Sequence, residues 1–284
     1  MKETLRNPEI SEYKPPFIVR NALTAHLIAY GVDLKLGKGL NTDGHKLLRK
    51  LIVRACQGGK VSISREASRT YHGADLSIEV DGWQNIPPSG PTMLIGNHTW
   101  GGPLQSNGQF IEMAKQGYYA RGNVEDENVR EPFAIMQRGL DKGPVGKYFT
   151  GIFYEIAGNA LNCEIVSIPK FGKNEENKEV VEVVNHQGLR PIATQRIIDG
   201  GAALWLPQGT HREPDDLRFP ENKGTGFLRR VYDADRFVQL VPVRSIPDAK
   251  GNVKIVFGQA VDLGHVMKNG GINYFSQNHI SKLS

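Results

Sequence analysis

The sequence has little cysteine, and its cysteines follow no ligand pattern. Only Cys56 and Cys163 occur in 284 residues. Their separation matches no metal-site spacing, and two isolated cysteines do not form the disulfide framework of a small secreted protein. We therefore expect two reduced, partly buried thiols in a cytoplasmic protein that holds no metal.

Long apolar runs are also missing. A helix that spans a bilayer needs about 20 mainly apolar residues. The longest candidate, residues 17–32, is interrupted by Arg20, Asn21 and His26. The opening residues lead into a polar segment and not into the apolar core of a secretory signal. We expect neither a membrane-spanning helix nor a signal peptide.

Several common catalytic signatures are absent as well. There is no G-x-S-x-G turn for a serine hydrolase, and Ser106 lies in Gln105-Ser106-Asn107 without the surroundings of a nucleophile. No H-E-x-x-H pair, Walker A loop or dinucleotide-binding glycine motif is found. These absences exclude the usual zinc, nucleotide and serine-hydrolase chemistries, and we expect no bound cofactor.

Basic residues exceed acidic residues only moderately. The chain has 35 Lys and Arg against 30 Asp and Glu, a net charge of +5. The basic residues are scattered, apart from a small group within residues 46–54 and the pair Arg229-Arg230. Scattered charge indicates a solvated surface and no nucleic-acid partner. If the charge has a target, an anionic membrane face or an acidic carrier protein is the simpler explanation.

Two regions differ in their periodicity. Residues 1–75 are predicted to be helical, with helices over 17–30 and 45–57 separated by a loop. The second of these helices is basic and amphipathic. We expect it to pack on the rest of the protein, with a membrane surface as the alternative.

Residues 76–284 alternate between strand and helix patterns. Alternation of this kind predicts an α/β domain with a mainly parallel sheet that is covered by helices. The predicted strands are 76–80, 92–96, 118–120, 202–206, 238–243 and 253–257. The predicted helices are 109–115, 191–199 and 224–232.

Two apolar runs of this domain end abruptly in polar residues. Leu94-Ile95-Gly96 leads into Asn97-His98, and Leu204-Trp205-Leu206 leads into Pro207-Gln208-Gly209-Thr210-His211-Arg212. A parallel α/β sheet binds its ligands beyond the carboxyl ends of its strands. The pattern therefore predicts a proton acceptor that faces an anion-binding loop in one crevice.

The same residues resemble the glycerolipid acyltransferase superfamily, which acylates glycerol-3-phosphate and lysophosphatidic acid. The family's "NHxxxxD" block is matched by Asn97-His98, after a lead-in at residues 82–87. Its "FPEGTRS" block is matched by residues 206–212, and its closing "VPV" strand by residues 241–243. A middle block is matched loosely by residues 151–170. The resemblance covers residues 76–263 and implies an acyltransferase-like fold with His98 as general base.

Two departures from the family pattern concern its carboxylates. The family aspartate falls on Pro103, and the family glutamate is Gln208. A carboxylate from elsewhere could orient the imidazole of His98, as could a neutral partner. The sequence does not choose among five candidates: Glu112, Glu125, Asp126, Glu213 and Asp215.

We therefore expect acyl transfer from acyl-coenzyme A or an acyl-carrier protein to a hydroxyl or amine acceptor. His98 is the expected base, because histidine accepts protons near neutral pH. The expected substrate-binding residues are Asn97, Thr99, Gln208, Gly209, Thr210, Arg212 and Lys223. Peripheral contact with a membrane is a further expectation. The alternative is a non-catalytic lipid- or acyl-binding protein that keeps the same fold.

Overall fold

The structure is a computed structural model that describes residues 20–37, 39–71, 77–98, 103–137, 163–166, 170–173, 179–182, 189–208, 215–219, 225–249 and 252–284. Its α-helices are α1 (Ala22–Leu36), α2 (Thr42–Cys56), α3 (Pro103–Ala120), α4 (Glu127–Arg130), α5 (Leu189–Ile198), α6 (Thr225–Ala234), α7 (Leu263–Lys268) and α8 (Gly271–Phe275). Short 3₁₀ turns occupy Ala67–Tyr71 and Trp83–Asn85, and a π-helical turn occupies Ser276–Ile280.

The strands are β1 (Ile78–Asp81), β2 (Thr92–Gly96), β3 (Phe133–Gln137), β4 (Cys163–Val166), β5 (Lys170–Lys173), β6 (Glu179–Glu182), β7 (Ala202–Trp205), β8 (Gln239–Pro247), β9 (Val253–Phe257) and β10 (Val261–Asp262). The main sheet has the order β1-β9-β8-β2-β7-β3-β4, and β10 pairs with β8. Only the β8–β9 and β8–β10 pairs of this sheet are antiparallel. The mainly parallel α/β sheet expected from the sequence is therefore observed, and β5 and β6 form a separate antiparallel pair.

The two central strands, β2 and β7, are buried along their whole length. Because side chains alternate across a sheet, Ile95 and Trp205 lie on one face, in a core that includes α5 and α6. Leu94 and Leu204 lie on the other face, in a core that includes α3. Apolar residues at every position are what a strand covered on both faces requires.

The N-terminal helices α1 and α2 pack against each other around a small core of their own. Asn21 and Asn41 cap them, since each side chain accepts a hydrogen bond from the first turn of the helix that follows. The buried Asp33 of α1 pairs with His45 of α2 at 2.6 Å and with Arg49 at 3.1 Å. The described part of this region is helical, and the helix predicted over 17–30 corresponds to α1, which continues to Leu36. The predicted helix over 45–57 buries its apolar side against α1 and the turn Ala67–Tyr71.

A buried carboxylate joins this region to the sheet. Glu131, just before β3, accepts hydrogen bonds from the hydroxyls of Ser62 and Ser64 at 3.0 and 2.6 Å. Ala67 packs against both the N-terminal core and the core under α3. The division into residues 1–75 and 76–284 stays a prediction.

A buried arginine fastens the amino edge of the sheet, where β2 and β7 begin. Arg121 follows α3, and its guanidinium donates to the carbonyls of Gly90, just before β2, and Gly200, just before β7. Both glycines have positive φ angles, 82° and 97°, which residues other than glycine rarely adopt. Burial lowers the pKa of Arg121.

One local prediction was wrong. Residues 118–120 were expected to form a strand, but they are the last turn of α3, which is longer than the predicted helix over 109–115. Two consecutive tyrosines gave the strand signal. They lie at helical positions, with Tyr118 buried and Tyr119 exposed.

Two structural absences can be stated for the part of the chain that the structure describes. None of its helices is long and apolar enough to cross a bilayer. Within the same residues, no three or more His, Cys, Asp and Glu side chains are grouped so that they could hold a metal ion.

Candidate functional site

The candidate site lies where β2 and β7 end side by side. These strands are parallel neighbours, with Ile95 opposite Trp205. The chain leaves β2 for α3 on one face of the sheet and leaves β7 for α6 on the other face. Adjacent parallel strands whose connections cover opposite faces form the topological switch point at which α/β sheets bind ligands.

Asn97 fixes the turn that follows β2. Its side-chain oxygen accepts a hydrogen bond from the backbone N–H of Ser245 at 2.8 Å, and its side-chain nitrogen donates to the Ser245 carbonyl at 3.0 Å. The pairing of β2 with β8 ends at Gly96 and Val243, so the Asn97 amide extends that pairing by one step. Asn97 is buried and is therefore committed to holding the turn.

Helix α3 holds the same turn from the side. Gln109 is fully buried, and its side-chain nitrogen donates to the Asn97 carbonyl at 2.7 Å. The neighbouring Gly96 leaves room for this contact, because a Cβ atom there would lie 3.3 Å from the Gln109 nitrogen and 3.1 Å from Leu206. Gln109 was not among the residues predicted from the sequence, since a glutamine on a helix gives no signal of its own.

Gln208 joins the turn after β2 to the loop after β7. Its side-chain oxygen accepts a hydrogen bond from the backbone N–H of His98 at 2.5 Å. Its side-chain nitrogen donates to the carbonyl of Asp216 at 2.7 Å and lies 3.4 Å from that of Arg218. Gln208 is buried. Its amide is used on both sides and serves as a structural bridge.

His98 sits at the meeting point of these contacts. Its backbone is held by Gln208, and the preceding residue is held by Ser245 and Gln109. The imidazole is partly buried, and its Nδ1 atom is shielded from solvent. The site therefore presents a histidine on a turn that is fixed from three directions.

Four of the five candidate carboxylates for His98 lie on described residues. Glu125 and Asp126 lie between the end of α3 and the start of β3, at the amino edge of the sheet and away from His98. Glu112 is buried on α3 and is bonded by Lys115 at 3.2 Å and Gln116 at 2.6 Å. The fifth candidate, Glu213, lies outside the described residues.

Asp215 lies on the His98 side of the sheet. It precedes Asp216, whose carbonyl bonds to Gln208. Its carboxylate pairs with Arg244 of β8 at 3.0 Å. Arg244 also donates to the carbonyls of Ser281 and Leu283 at 3.1 and 2.7 Å. Arg244 thus ties the loop after Gln208 to the last residues of the chain, a role that the sequence did not predict.

Of the predicted site residues, the structure describes Asn97, His98 and Gln208 and brings them together at one edge of the sheet. The other predicted residues lie outside the described part of the chain: Thr99, Gly209, Thr210, Arg212 and Lys223. Pro103 is described as the first residue of α3, where a proline fits because that position needs no N–H donor.

Similarity to known proteins is found at the level of solved structures. No protein-family model matches the chain, and no curated protein matches it. The chain is similar to the crystal structure of the 1-acyl-sn-glycerophosphate (LPA) acyltransferase PlsC from Thermotoga maritima. The two share 14% sequence identity, with a TM-score of 0.44, over 90% of this chain and 91% of that chain.

Proposed function

We propose that this protein transfers an acyl group from an acyl thioester to a hydroxyl or amine acceptor, with His98 as the general base. The supporting observation is the placement of His98 at the switch point between β2 and β7, on a turn held by Ser245, Gln109 and Gln208. A base held in place by its surroundings needs little reorganisation when the acceptor binds.

The proposed reaction uses one proton transfer in each direction. The acceptor hydroxyl or amine attacks the thioester carbonyl carbon as His98 takes its proton, and a tetrahedral intermediate forms. Because Nδ1 is shielded from solvent, Nε2 is assigned to this transfer. The carbon–sulfur bond then breaks, and the imidazolium returns the proton to the leaving thiolate.

The other sequence candidates take supporting roles in this proposal. Gly209 and Thr210 would stabilise the oxyanion through N–H and hydroxyl donors. Arg212 and Lys223 would hold an anionic part of the donor or acceptor. Acyl-coenzyme A or an acyl-carrier protein would be the donor. Gln208 is excluded from direct substrate chemistry in this scheme, since both ends of its amide are already bonded within the protein.

A second candidate function is supported by that same bonding of Gln208. A non-catalytic protein that binds acyl chains could use a neutral, internally bonded amide where the family resemblance would place a glutamate. In that case, His98 would serve only as part of the turn.

Thiol release from acyl-coenzyme A distinguishes the two functions. The unmodified protein is mixed with acyl donors of several chain lengths and with hydroxyl and amine acceptors, and the free thiol is measured. Acyl transfer predicts turnover that falls by about 10²- to 10⁴-fold in His98→Ala, the range for a positioned general base. His265→Ala serves as the control, since His265 lies on α7 and contacts Tyr274.

The outcomes separate the candidates clearly. Turnover that survives in His98→Ala overturns the proposed role of that residue. Absence of turnover, together with an acyl ligand that raises the melting temperature through preferential binding to the folded state, identifies the binding protein.

A further inference from the structure

One buried atom of the Gln109 side chain is not used by the contacts around the candidate site. Gln109 lies on α3, and its side-chain nitrogen Nε2 donates to the Asn97 carbonyl at 2.7 Å. Its side-chain oxygen Oε1 is also buried, and no donor in the described part of the chain lies within hydrogen-bonding distance of it. A buried acceptor without a donor costs stability, so an atom of this kind calls for an explanation.

The orientation of the Gln109 amide is fixed by its neighbour. A backbone carbonyl can only accept a hydrogen bond, so the group that faces the Asn97 carbonyl must be the NH₂ group. Turning the amide over would set two oxygen atoms against each other. The amide also lies against Gly96, since a Cβ atom there would be 3.3 Å from Nε2. Oε1 is therefore the atom that remains for a second partner, and that partner has to be a donor.

His98 lies next to this amide. Leu94 packs in the core under α3, and Gly96 faces Gln109. Side chains two residues apart point to the same side of an extended chain, which directs His98 to the side of the sheet that α3 covers. Asn97, whose carbonyl Gln109 holds, is the residue just before it. The Nδ1 atom of His98 is shielded from solvent, as Oε1 is.

The other buried side-chain nitrogens that have no acceptor among the described residues lie in different places. The Trp205 nitrogen is in the core on the other face of the sheet. Arg121 is at the amino edge, and Arg54 is on α2. The nitrogens of Arg244 and His279 lie with the C-terminal residues. Of the shielded side-chain nitrogens in the described fold, Nδ1 of His98 is the one on the side and at the edge where Oε1 lies.

We propose that Gln109 is the positioning residue of His98, because its Oε1 atom accepts a hydrogen bond from the Nδ1–H group of the imidazole. This inference rests on the proposed function, which assigns Nε2 to the proton transfer. A neutral imidazole carries one proton, so an Nε2 that accepts requires the proton on Nδ1, and the acceptor for that proton sets the tautomer. The bond is not formed in the structure, and it requires the ring to turn its Nδ1 edge towards α3.

A neutral amide would thus do part of the work of the carboxylate that the resembled family has. The family aspartate falls on Pro103, the first residue of α3, and Gln109 follows six residues later on the same helix. An amide oxygen can fix the tautomer and orientation of a catalytic histidine, as in Cys-His-Asn proteases. It stabilises the imidazolium less than a carboxylate does, so His98 would be a weaker base. A buried water is the alternative partner for Oε1, and it predicts no link between Gln109 and the tautomer of His98.

The tautomer of His98, measured by NMR on the full chain with ¹⁵N-labelled histidine, tests the inference without any substrate. The signals of His98 are identified by their loss in His98→Ala. We expect the neutral ring to carry its proton on Nδ1 in the unmodified protein. Gln109→Met and Gln109→Glu both lose the donor to the Asn97 carbonyl, but only the glutamate keeps an acceptor. The Nδ1–H form should therefore be lost in Gln109→Met and retained in Gln109→Glu. Gln116→Met is the control, since Gln116 lies on the same helix and bonds to Glu112.

A proton on Nε2 in the unmodified protein would overturn the inference, and this measurement needs no variant to fold. Equal tautomers in Gln109→Met and Gln109→Glu would also overturn it, because Gln109 would then only hold the turn. In the thiol-release assay, Gln109→Met should lower kcat by about 10²-fold, the effect of a misplaced catalytic group, with little change in the KM for the acyl donor. A rise in KM alone would contradict a positioning role. Absence of turnover in the unmodified protein would remove the proposed function, whereas the tautomer would still decide whether Gln109 orients His98.

Discussion

The backbone N–H of His98 donates a 2.5 Å hydrogen bond to the side-chain oxygen of Gln208, 110 positions later in the chain. The other end of the Gln208 amide donates to the Asp216 carbonyl at 2.7 Å. A glutamate could accept the first bond but, when ionised, could not donate the second. Where the resembled family has a glutamate, this chain has the side chain that its own loop requires.

Replacing Gln208 with glutamate should therefore destabilise the fold. The new carboxylate would be buried against the carbonyl oxygen of Asp216, so a donor bond becomes a repulsion and a charge loses water. We expect a loss of about 1–3 kcal/mol in the free energy of unfolding, measured by chemical denaturation. The exposed Gln277→Glu is the control and should change stability little. An unchanged midpoint in Gln208→Glu would contradict the bridging role.

Asn97 should stabilise the fold through both ends of its side-chain amide. Asn97→Ala leaves the N–H and carbonyl of Ser245 without their side-chain partners in a buried place, which should cost about 2–4 kcal/mol. Asn97→Asp keeps the acceptor for the N–H but places an oxygen against the carbonyl, so it should also destabilise. The exposed Asn128→Ala is the control in the same denaturation measurement. If Asn97→Ala lowers the free energy of unfolding as little as this control does, the bonds between Asn97 and Ser245 do not hold the turn.

Pro103→Asp should be tolerated. Pro103 is the first residue of α3, where a proline contributes no hydrogen bond and an acidic side chain interacts favourably with the helix N-terminus. We expect the melting temperature to stay within a few degrees of the unmodified protein's. A large drop in melting temperature would show that the start of α3 requires the proline itself. If the variant releases thiol from acyl-coenzyme A faster than the unmodified protein does, with Gln208 unchanged, the new aspartate alone makes His98 a more effective base.

Acid should weaken the C-terminal part of the fold through His279. Burial, followed by the positive charges of Lys282 and His265, lowers the pKa of His279 below its ordinary value of 6.5. The unfolded chain therefore binds a proton on this residue at a higher pH than the folded chain does, and stability falls as the pH drops below about 6.5. Below the folded-state pKa, this contribution to the slope ends.

The measurement is the free energy of unfolding between about pH 7 and pH 5. His279→Gln removes the titrating group and should reduce the pH dependence. An equal slope in both proteins would assign the acid sensitivity to other residues.

Strongly patterned parts of the fold could be predicted from the sequence. The strand over residues 92–96 was predicted with its observed bounds, because a short run of buried apolar residues between a turn and a polar pair has few other solutions. The meeting of His98 and Gln208 followed from two strand ends in one parallel sheet. The rule that α/β sheets bind ligands beyond the carboxyl ends of their strands therefore identified this edge of the sheet.

Contacts made by side-chain amides could not be predicted. The Gln109 side chain donates to the Asn97 carbonyl, and the Asn97 side chain bonds to the backbone of Ser245. Nothing in the local sequence of Gln109 or Ser245 marks that use. The exposure of Leu23 and Leu27 on α1 was not predicted, for a related reason. The sequence shows that a helix is apolar, but only packing shows which of its faces is left uncovered.

Arg121 couples the central strands β2 and β7, so that we expect them to unfold cooperatively. Its buried guanidinium bonds to the turns before β2 and before β7, while Gln208 joins the segments after the same two strands. Separating the strands at either end would leave a buried charge or amide without partners. The amide hydrogens of β2 and β7 should therefore exchange with solvent only in global unfolding.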